Sequence, residues 1–235
     1  MITQYSIAAY GEKAILVQFK AEPSKELLQL LLHIHNSLDH ETTFTYNEIL
    51  IKNVAAADVN LFRKKLDALL KMKATKQEAI FKKHYIPVCY DSCFGIDLRE
   101  SSKILRLSEQ EIIKMHQSQE YLVYFLGFLP GFPYLLGLDE HLHIVRKGNP
   151  DLVIPKGSIA IGGTQTGVYT QQSPGGWYVL GNTPVPFFDI DKSQPNLVNP
   201  GDVLCFYEIS RRAHKKLSKE IESGNYTHKF EVQYG

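Results

Sequence analysis

Four segments of this chain combine rings, glycine and proline in a way that could build a ligand site. They are Gly127-Phe128-Leu129-Pro130-Gly131-Phe132-Pro133-Tyr134-Leu135, Pro155-Lys156-Gly157-Ser158, Ser173-Pro174-Gly175-Gly176-Trp177 and Asn199-Pro200-Gly201-Asp202. The first is too rich in Gly and Pro for regular helix or a central strand, so it reads as a shaped loop that displays or buries its rings. The third places Pro and Gly at the central positions of a type II turn that delivers the only tryptophan, Trp177. The other two read as turns leading into strands. Loops of this kind on a β-framework commonly carry a binding site.

Other chemistries lack their residues. There is no G-x-x-x-x-G-K-[ST] and no G-x-G-x-x-G. Gly162-Gly163-Thr164 reads as a tight turn rather than an anion cradle. His141 and His143 stand two apart with nothing to complete a metal set, and His84 and His116 read as satisfied structural histidines. Cys89, Cys93 and Cys205 are an odd count without a zinc spacing, as expected of free thiols in a reducing cytoplasm. Lys71-Met72-Lys73 is not the Met-Lys-Met of a biotin-bearing hairpin, so no biotin attachment is expected.

The elements that must position these segments fall into two parts. In the first, Ser6–Ala9, Ile15–Phe19, Thr43–Ile51 and Tyr85–Val88 read as strands. Ser24 caps a helix carrying Leu27, Leu28, Leu31, Ile34 and Leu38, and Asp58 caps one carrying Phe62, Leu66, Leu69 and Leu70. The order β-β-α-β-α-β predicts a small α+β sandwich of ferredoxin-like type over residues 1–83, with Lys71–Lys83 as its linker. In the second part, Asp97–Glu100 and Ser108–Glu111 both fit a capping box, predicting two short abutting helices. The acidic start of the second of these helices argues against a DNA-reading helix pair. Short apolar runs follow at Leu122–Phe125, Ser158–Ile161, Tyr178–Leu180 and Val203–Tyr207, predicting a barrel or sandwich over residues 84–235. A last helix starts at Ser210, and Phe230, Val232 and Tyr234 alternate as a closing strand.

Composition narrows the partners. Of 235 residues, 26 are Lys or Arg and 25 are Asp or Glu, a net charge of +1. That balance argues against a nucleic-acid binder, which needs a basic excess. No apolar run approaches the roughly 18 residues of a membrane span, and the N-terminus lacks the pattern of a secretory signal.

The motifs also carry a family resemblance. Ile86-Pro87-Val88-Cys89-Tyr90, Gly127–Leu135, Ile154–Ala160, Gly163–Tyr169, Ser173–Trp177, Gly181-Asn182-Thr183-Pro184 and Pro200–Val203 resemble the family of the B-type subunit of bacterial 5-oxoprolinase. That family also holds the Kip inhibitor of a sporulation histidine kinase, allophanate-hydrolase subunit 1, and the C/D part of the urea-carboxylase carboxyltransferase domain. The resemblance implies a small α+β N-terminal domain followed by a cyclophilin-like β-barrel. It also implies a cytoplasmic protein working with the C-type and A-type subunits of 5-oxoprolinase, in a complex that opens 5-oxoproline to L-glutamate at the expense of ATP. ATP and Mg²⁺ are expected at the level of that complex and not on this chain alone. The alternatives it implies are an inhibitor docking on a histidine-kinase dimerisation domain and a subunit of an allophanate-hydrolase or urea-carboxylase-like enzyme. No membrane or nucleic-acid partner is implied.

On this reading the ligand-facing wall comprises Phe132, Tyr134, Gln165, Thr166, Tyr169 and Trp177, with Arg146 and Lys156 as anion contacts. Asn182 stands where the family often has a basic residue, and Lys156 where it often has alanine, so Lys156 is expected to supply the charge. No residue is assigned as a nucleophile.

Overall fold

The computed structural model describes residues 4–71 and 80–234. The chain divides into two compact units, with the second beginning at Ile80. Of the linker expected over Lys71–Lys83, residues 72–79 lie outside the described residues, and Ile80–Lys83 belong to a strand of the second unit.

The first unit is a four-stranded antiparallel sheet with two helices. Its elements run β1 (Tyr5–Ala9), β2 (Ala14–Phe19), α1 (Lys25–Ser37), β3 (Thr42–Phe44), β4 (Glu48–Lys52) and α2 (Val59–Lys71), and the sheet order is β1-β2-β4-β3. Register places Ile7, Val17, Ile49 and Phe44 in one row across all four strands, and all four are buried. Alternation therefore sends one face of the sheet inward, against Leu27, Leu28, Leu31 and Ile34 of α1 and Phe62 and Leu66 of α2. Ser24 caps α1 by accepting the Leu27 N–H at 3.2 Å.

Two expectations fail here. The strand expected over Thr43–Ile51 is a hairpin, because the chain reverses at Thr45-Tyr46-Asn47 and Thr45 N bonds Glu48 O at 3.0 Å. The order is therefore ββαββα, two hairpins side by side, and not ferredoxin-like. The strand Tyr85–Val88 belongs instead to the second unit's sheet.

The second unit holds an eight-stranded sheet. Beyond β5 (Ile80–Val88) come α3 (Leu98–Leu105), α4 (Glu109–Ser118), β6 (Tyr121–Leu126), β7 (Pro133–Leu136), β8 (Asp151–Ile154), β9 (Ser158–Gly162), β10 (Gln165–Val168), β11 (Ser173–Gly175), β12 (Tyr178–Asn182), β13 (Val203–Glu208), α5 (Arg211–Glu222) and β14 (Phe230–Tyr234). The order is β12-β9-β10-β7-β6-β13-β5-β14, and β8 and β11 form a separate two-stranded antiparallel ladder. The expected closed barrel does not form. β14 occupies the outer edge of β5 over Ile80–His84, so β12 meets that edge only at the single bridge between Cys89 and Asn182. The terminal strand adds an edge rather than closing the sheet.

Local chemistry explains the other departures. Ser108 and Glu111 form the capping box expected of α4, but Asp97 makes no cap bond. Its carboxylate accepts from Lys147 Nζ at 2.7 Å and from the Val179 N–H at 2.8 Å. Lys147 also reaches Asp151 at 2.5 Å. Burial alone would lower the Lys147 ammonium, yet its bonds to Asp151 and Asp97 raise it above the usual lysine range. This buried ion pair ties α3 to β12 and to the start of β8.

A polar chain also crosses the main core. Tyr90 Oη donates to His116 Nδ1 at 2.9 Å, His116 Nε2 donates to Thr166 Oγ1 at 3.1 Å, and Thr166 donates to Ala160 O at 3.1 Å. His116 is fully buried, and burial lowers its pKa to about 3. A histidine held neutral stabilises the fold above its unfolded pKa, and that contribution is lost as pH falls toward 3. We predict that stability falls between about pH 6.5 and about pH 3, with His116 contributing up to ~1.4 kcal/mol per pH unit. Urea unfolding across that range should show a shallower acid slope in His116→Gln than in the wild type, and an unchanged slope would refute the assignment.

Candidate functional site: an aromatic cleft on the outer face of the sheet

The segment after β6 is shaped by two successive turns. Leu129 N bonds Gly127 O at 2.8 Å, a γ-turn centred on Phe128 at φ 65°. This backbone is strained for a bulky residue, and it leaves the Phe128 ring exposed. Leu129-Pro130-Gly131-Phe132 then forms a type II turn, with Pro130 at its second position, Gly131 at φ 72° and Phe132 N bonded to Leu129 O at 3.0 Å. Only this front part is the shaped loop expected. Pro133–Leu136 continues as β7, an internal strand that Pro133 opens where a missing N–H does least harm.

The turn expected at Pro174-Gly175 is absent. Neither Gly175 nor Gly176 has positive φ, and Ser173–Gly175 is strand β11, paired with β8 through a register shift. Pro155–Ser158 and Asn199–Asp202 are turns into β9 and β13, with Gly157 at φ 80° and Gly201 at φ 100°.

These segments assemble a second hydrophobic cluster, apart from the main core: Phe132, Ile154, Ala160, Tyr169, Trp177 and Val179. Two strand glycines admit its rings. A Cβ on Gly162 would stand 2.6 Å from Trp177 Cδ1, and one on Gly167 would stand 2.8 Å from Phe132 Cζ. Side chains never approach that closely, so only glycine lets both rings lie against the strands. The Phe132 ring meets Tyr169 edge-on at 5.3 Å and Trp177 at 5.7 Å, and Tyr134 stacks on Phe125 at 4.4 Å.

A cleft of about 310 Å³ opens above these rings, lined by Phe128, Phe132, Tyr134, Arg146, Tyr169 and Trp177, with Pro150 and Pro174–Gly176 at its edge. Arg146 is exposed, lies 5.4 Å from the Trp177 ring centre and donates to Gln165 Oε1 at 3.4 Å. Burial pushes the Tyr169 hydroxyl up to about 12, with Tyr134 adding to it, and burial also raises Tyr134. Both phenols stay protonated near neutral pH. The cleft therefore offers one cation, protonated phenols and aromatic walls. That set suits a small, flat, anionic molecule.

Of the nine expected wall residues, Phe132, Tyr134, Arg146, Tyr169 and Trp177 line this cleft, and Gln165 borders it through Arg146. The other three stand elsewhere. Thr166 points into the main core, bonded to His116 and Ala160, because alternation along β10 turns it to the opposite face. Lys156 and Asn182 line a different cleft of about 320 Å³ beside α5, which Tyr169 also borders. Asn182 is already committed, donating to Lys156 O at 2.8 Å and accepting from His214 Nε2 at 3.0 Å. One of its two amide hydrogens is thus used, and it carries no charge for a substrate carboxylate. Phe128 was not among the expected residues. Its place in the Gly127–Leu135 segment was visible, but the positive φ that turns its ring outward is not written in side-chain type.

The sequence matches the family described as carboxyltransferase domain, subdomain C and D, over residues 5–198. The chain belongs to this family. It is 44 % identical over 135 residues to the B-type subunit of 5-oxoprolinase from Bacillus subtilis (strain 168), a match covering 57 % of this chain and 56 % of the relative. It is 47 % identical over 121 residues to that of Escherichia coli O157:H7, covering 52 % of this chain and 56 % of the relative. The matches thus span little more than half the length of these relatives. Among solved structures, the Kluyveromyces lactis urea amidolyase superposes with a TM-score of 0.79 at 17 % identity, over 98 % of this chain and 16 % of that one, a likeness of fold alone.

The cleft separates packing from binding in a measurable way. Trp177 is only 5 % exposed, so Trp177→Ala should cost ~3–5 kcal/mol of stability. Arg146→Gln and Tyr134→Phe keep the rings in place and should stay within ~0.5 kcal/mol of wild type in urea unfolding. A large loss in Arg146→Gln would show that the guanidinium holds the fold together rather than waiting for a ligand.

Proposed function

We propose that this chain acts as the B-type subunit of a cytoplasmic, ATP-dependent 5-oxoprolinase that opens 5-oxoproline to L-glutamate, with the C-type and A-type subunits as partners. The observation that carries this reading is the 44–47 % identity to relatives named as that subunit of 5-oxoprolinase. The aromatic cleft supports it, because a lactam carboxylate fits a site with one cation and flat walls.

Opening the lactam with water is uphill unless its carbonyl oxygen is activated; ATP would supply that activation by transferring a phosphoryl group to the oxygen with release of ADP, and phosphate would leave as water opens the ring. The residues of this cleft do not suit magnesium-bound ATP. The lining carries no carboxylate, and among the described residues no three His, Cys, Asp or Glu side chains gather as a metal-holding group. In this reading nucleotide and metal are held by a partner, and this chain completes a shared site. Arg146 takes the substrate carboxylate. Tyr134 and Tyr169 can donate hydrogen bonds, and Phe128, Phe132 and Trp177 keep bulk water out while leaving the one attacking water to reach the ring.

The test is reconstitution. Alone, the chain should show no 5-oxoproline hydrolysis with ATP and Mg²⁺, and together with the C-type and A-type subunits it should support 5-oxoproline-dependent ATP hydrolysis. In that complex Arg146→Gln should raise KM for 5-oxoproline by ~10-fold or more, the worth of one charged hydrogen bond. Turnover by the isolated chain would overturn the shared-site reading.

A further inference from the structure

A second polar cluster lies in the same unit, at the β5–β14 edge. Asp202 ends the Asn199–Asp202 turn, and its carboxylate is already held by the Lys82 N–H and the Asn199 N–H, each at 2.8 Å. It also accepts from His84 Nε2 at 3.3 Å. His84 Nδ1 meets His228 Nε2 at 2.9 Å, and His228 Nδ1 meets Tyr226 Oη at 3.1 Å. The two imidazole centres are 5.1 Å apart with planes within 25°, too far for a face-to-face stack and suited to a bond in the ring plane. With each donor used once, the chain runs from the Tyr226 hydroxyl through His228 and His84 to the Asp202 carboxylate. Both imidazoles are then neutral, and His84 is buried.

The two imidazoles at the middle of this chain border a cleft of about 190 Å³ that Lys82, Asp189, Lys192 and the amides of Gln194 and Asn196 also line. The charged and titratable groups facing the pair come from four places. Lys82 comes from β5 and sits 5.0 Å from the Phe230 ring. Lys192 and Asp189 come from the loop before β13 and pair at 3.5 Å. Asp202 and Tyr226 hold the two ends of the chain. Asp202 is behind His84, and Asp189, which also lines the cleft, offsets Lys192, so Lys82 and the amides give the open side its anion-binding character.

We propose that this cleft is a binding site for a small oxyanion, held between Lys82 and Lys192, with His228 taking up a proton as it binds. Its place at the cleft wall, bonded to His84 and Tyr226, suits that exchange. Burial, with His84 and Lys82 beside it, lowers His228 to about 4 in the empty cleft. An anion beside Lys82 offsets the lysine's part in lowering His228. Binding that takes up a proton must tighten as pH falls. This site is independent of the aromatic cleft and of the 5-oxoprolinase reading.

The experiment is an NMR titration of the imidazole resonances of the full chain with sulfate, which does not itself titrate near neutral pH, at ionic strength held constant with chloride. A parallel arm with acetate separates inorganic oxyanions from carboxylates, and a response to either supports the site. Saturating ligand should raise the His228 midpoint by about one pH unit, and affinity should be ~2-fold weaker near pH 7 than near pH 5. Lys192→Gln, at an exposed side chain, should weaken binding at least ~5-fold. His228→Gln should remove the pH dependence of whatever binding persists. No shift of His228 with either anion would overturn the proposal. So would an undiminished response in Lys192→Gln, which would mark an adventitious ion only.

Discussion

The candidate site depends on two aromatic rings packed against strands that carry no side chain beneath them. Gly162 leaves room for Trp177, and Gly167 leaves room for Phe132, at separations no Cβ could tolerate. β9 is consequently buried on both faces: Ile159 and Ile161 enter the main core, while Ala160 and Gly162 face the ring cluster. A sheet that could have been solvated on one side thus carries a second hydrophobic layer, and the cleft is the gap left where that layer ends.

Buried polar groups hold the frame on which those rings sit. The Asp97–Lys147–Asp151 set fixes the chain just after Arg146 against α3 and β12, and this sets where the guanidinium can stand over Trp177. The Tyr90–His116–Thr166 chain pins β10 from the core side, opposite Gln165 and Gly167. Removing one member of either set would leave its partner buried and unsatisfied, a cost far larger than the bond itself. Polar residues inside this unit therefore act at a distance on the cleft outside it.

Much of this was legible in the sequence, and the failures have physical causes. Period-two and helical spacing located β2, α1, β9, β12, β13 and α5, because burial on one face leaves a regular trace. The ring-bearing segments were visible because Gly and Pro cannot be accommodated there as ordinary structure. What could not be read was pairing. Thr43–Ile51 has strand chemistry throughout, and only the Thr45–Glu48 bond reveals the reversal. Pro174-Gly175 has turn chemistry, yet pairing with β8 holds it extended. Side-chain allegiance was equally hidden: Asp97 fits a cap by spacing but is claimed by Lys147, fifty residues on. Thr166 and Gln165 are neighbours that the strand sends to opposite faces.

The measurement that tests the ring-over-glycine account most directly is Trp177 fluorescence in Gly162→Ala. With one tryptophan in the chain, the emission reports the surroundings of Trp177 alone. The account predicts a red-shifted Trp177, displaced toward solvent by the new methyl group, while far-ultraviolet circular dichroism shows the main sheet retained. Wild-type emission and wild-type stability in Gly162→Ala would show that the ring does not rest on that strand, and would contradict the account.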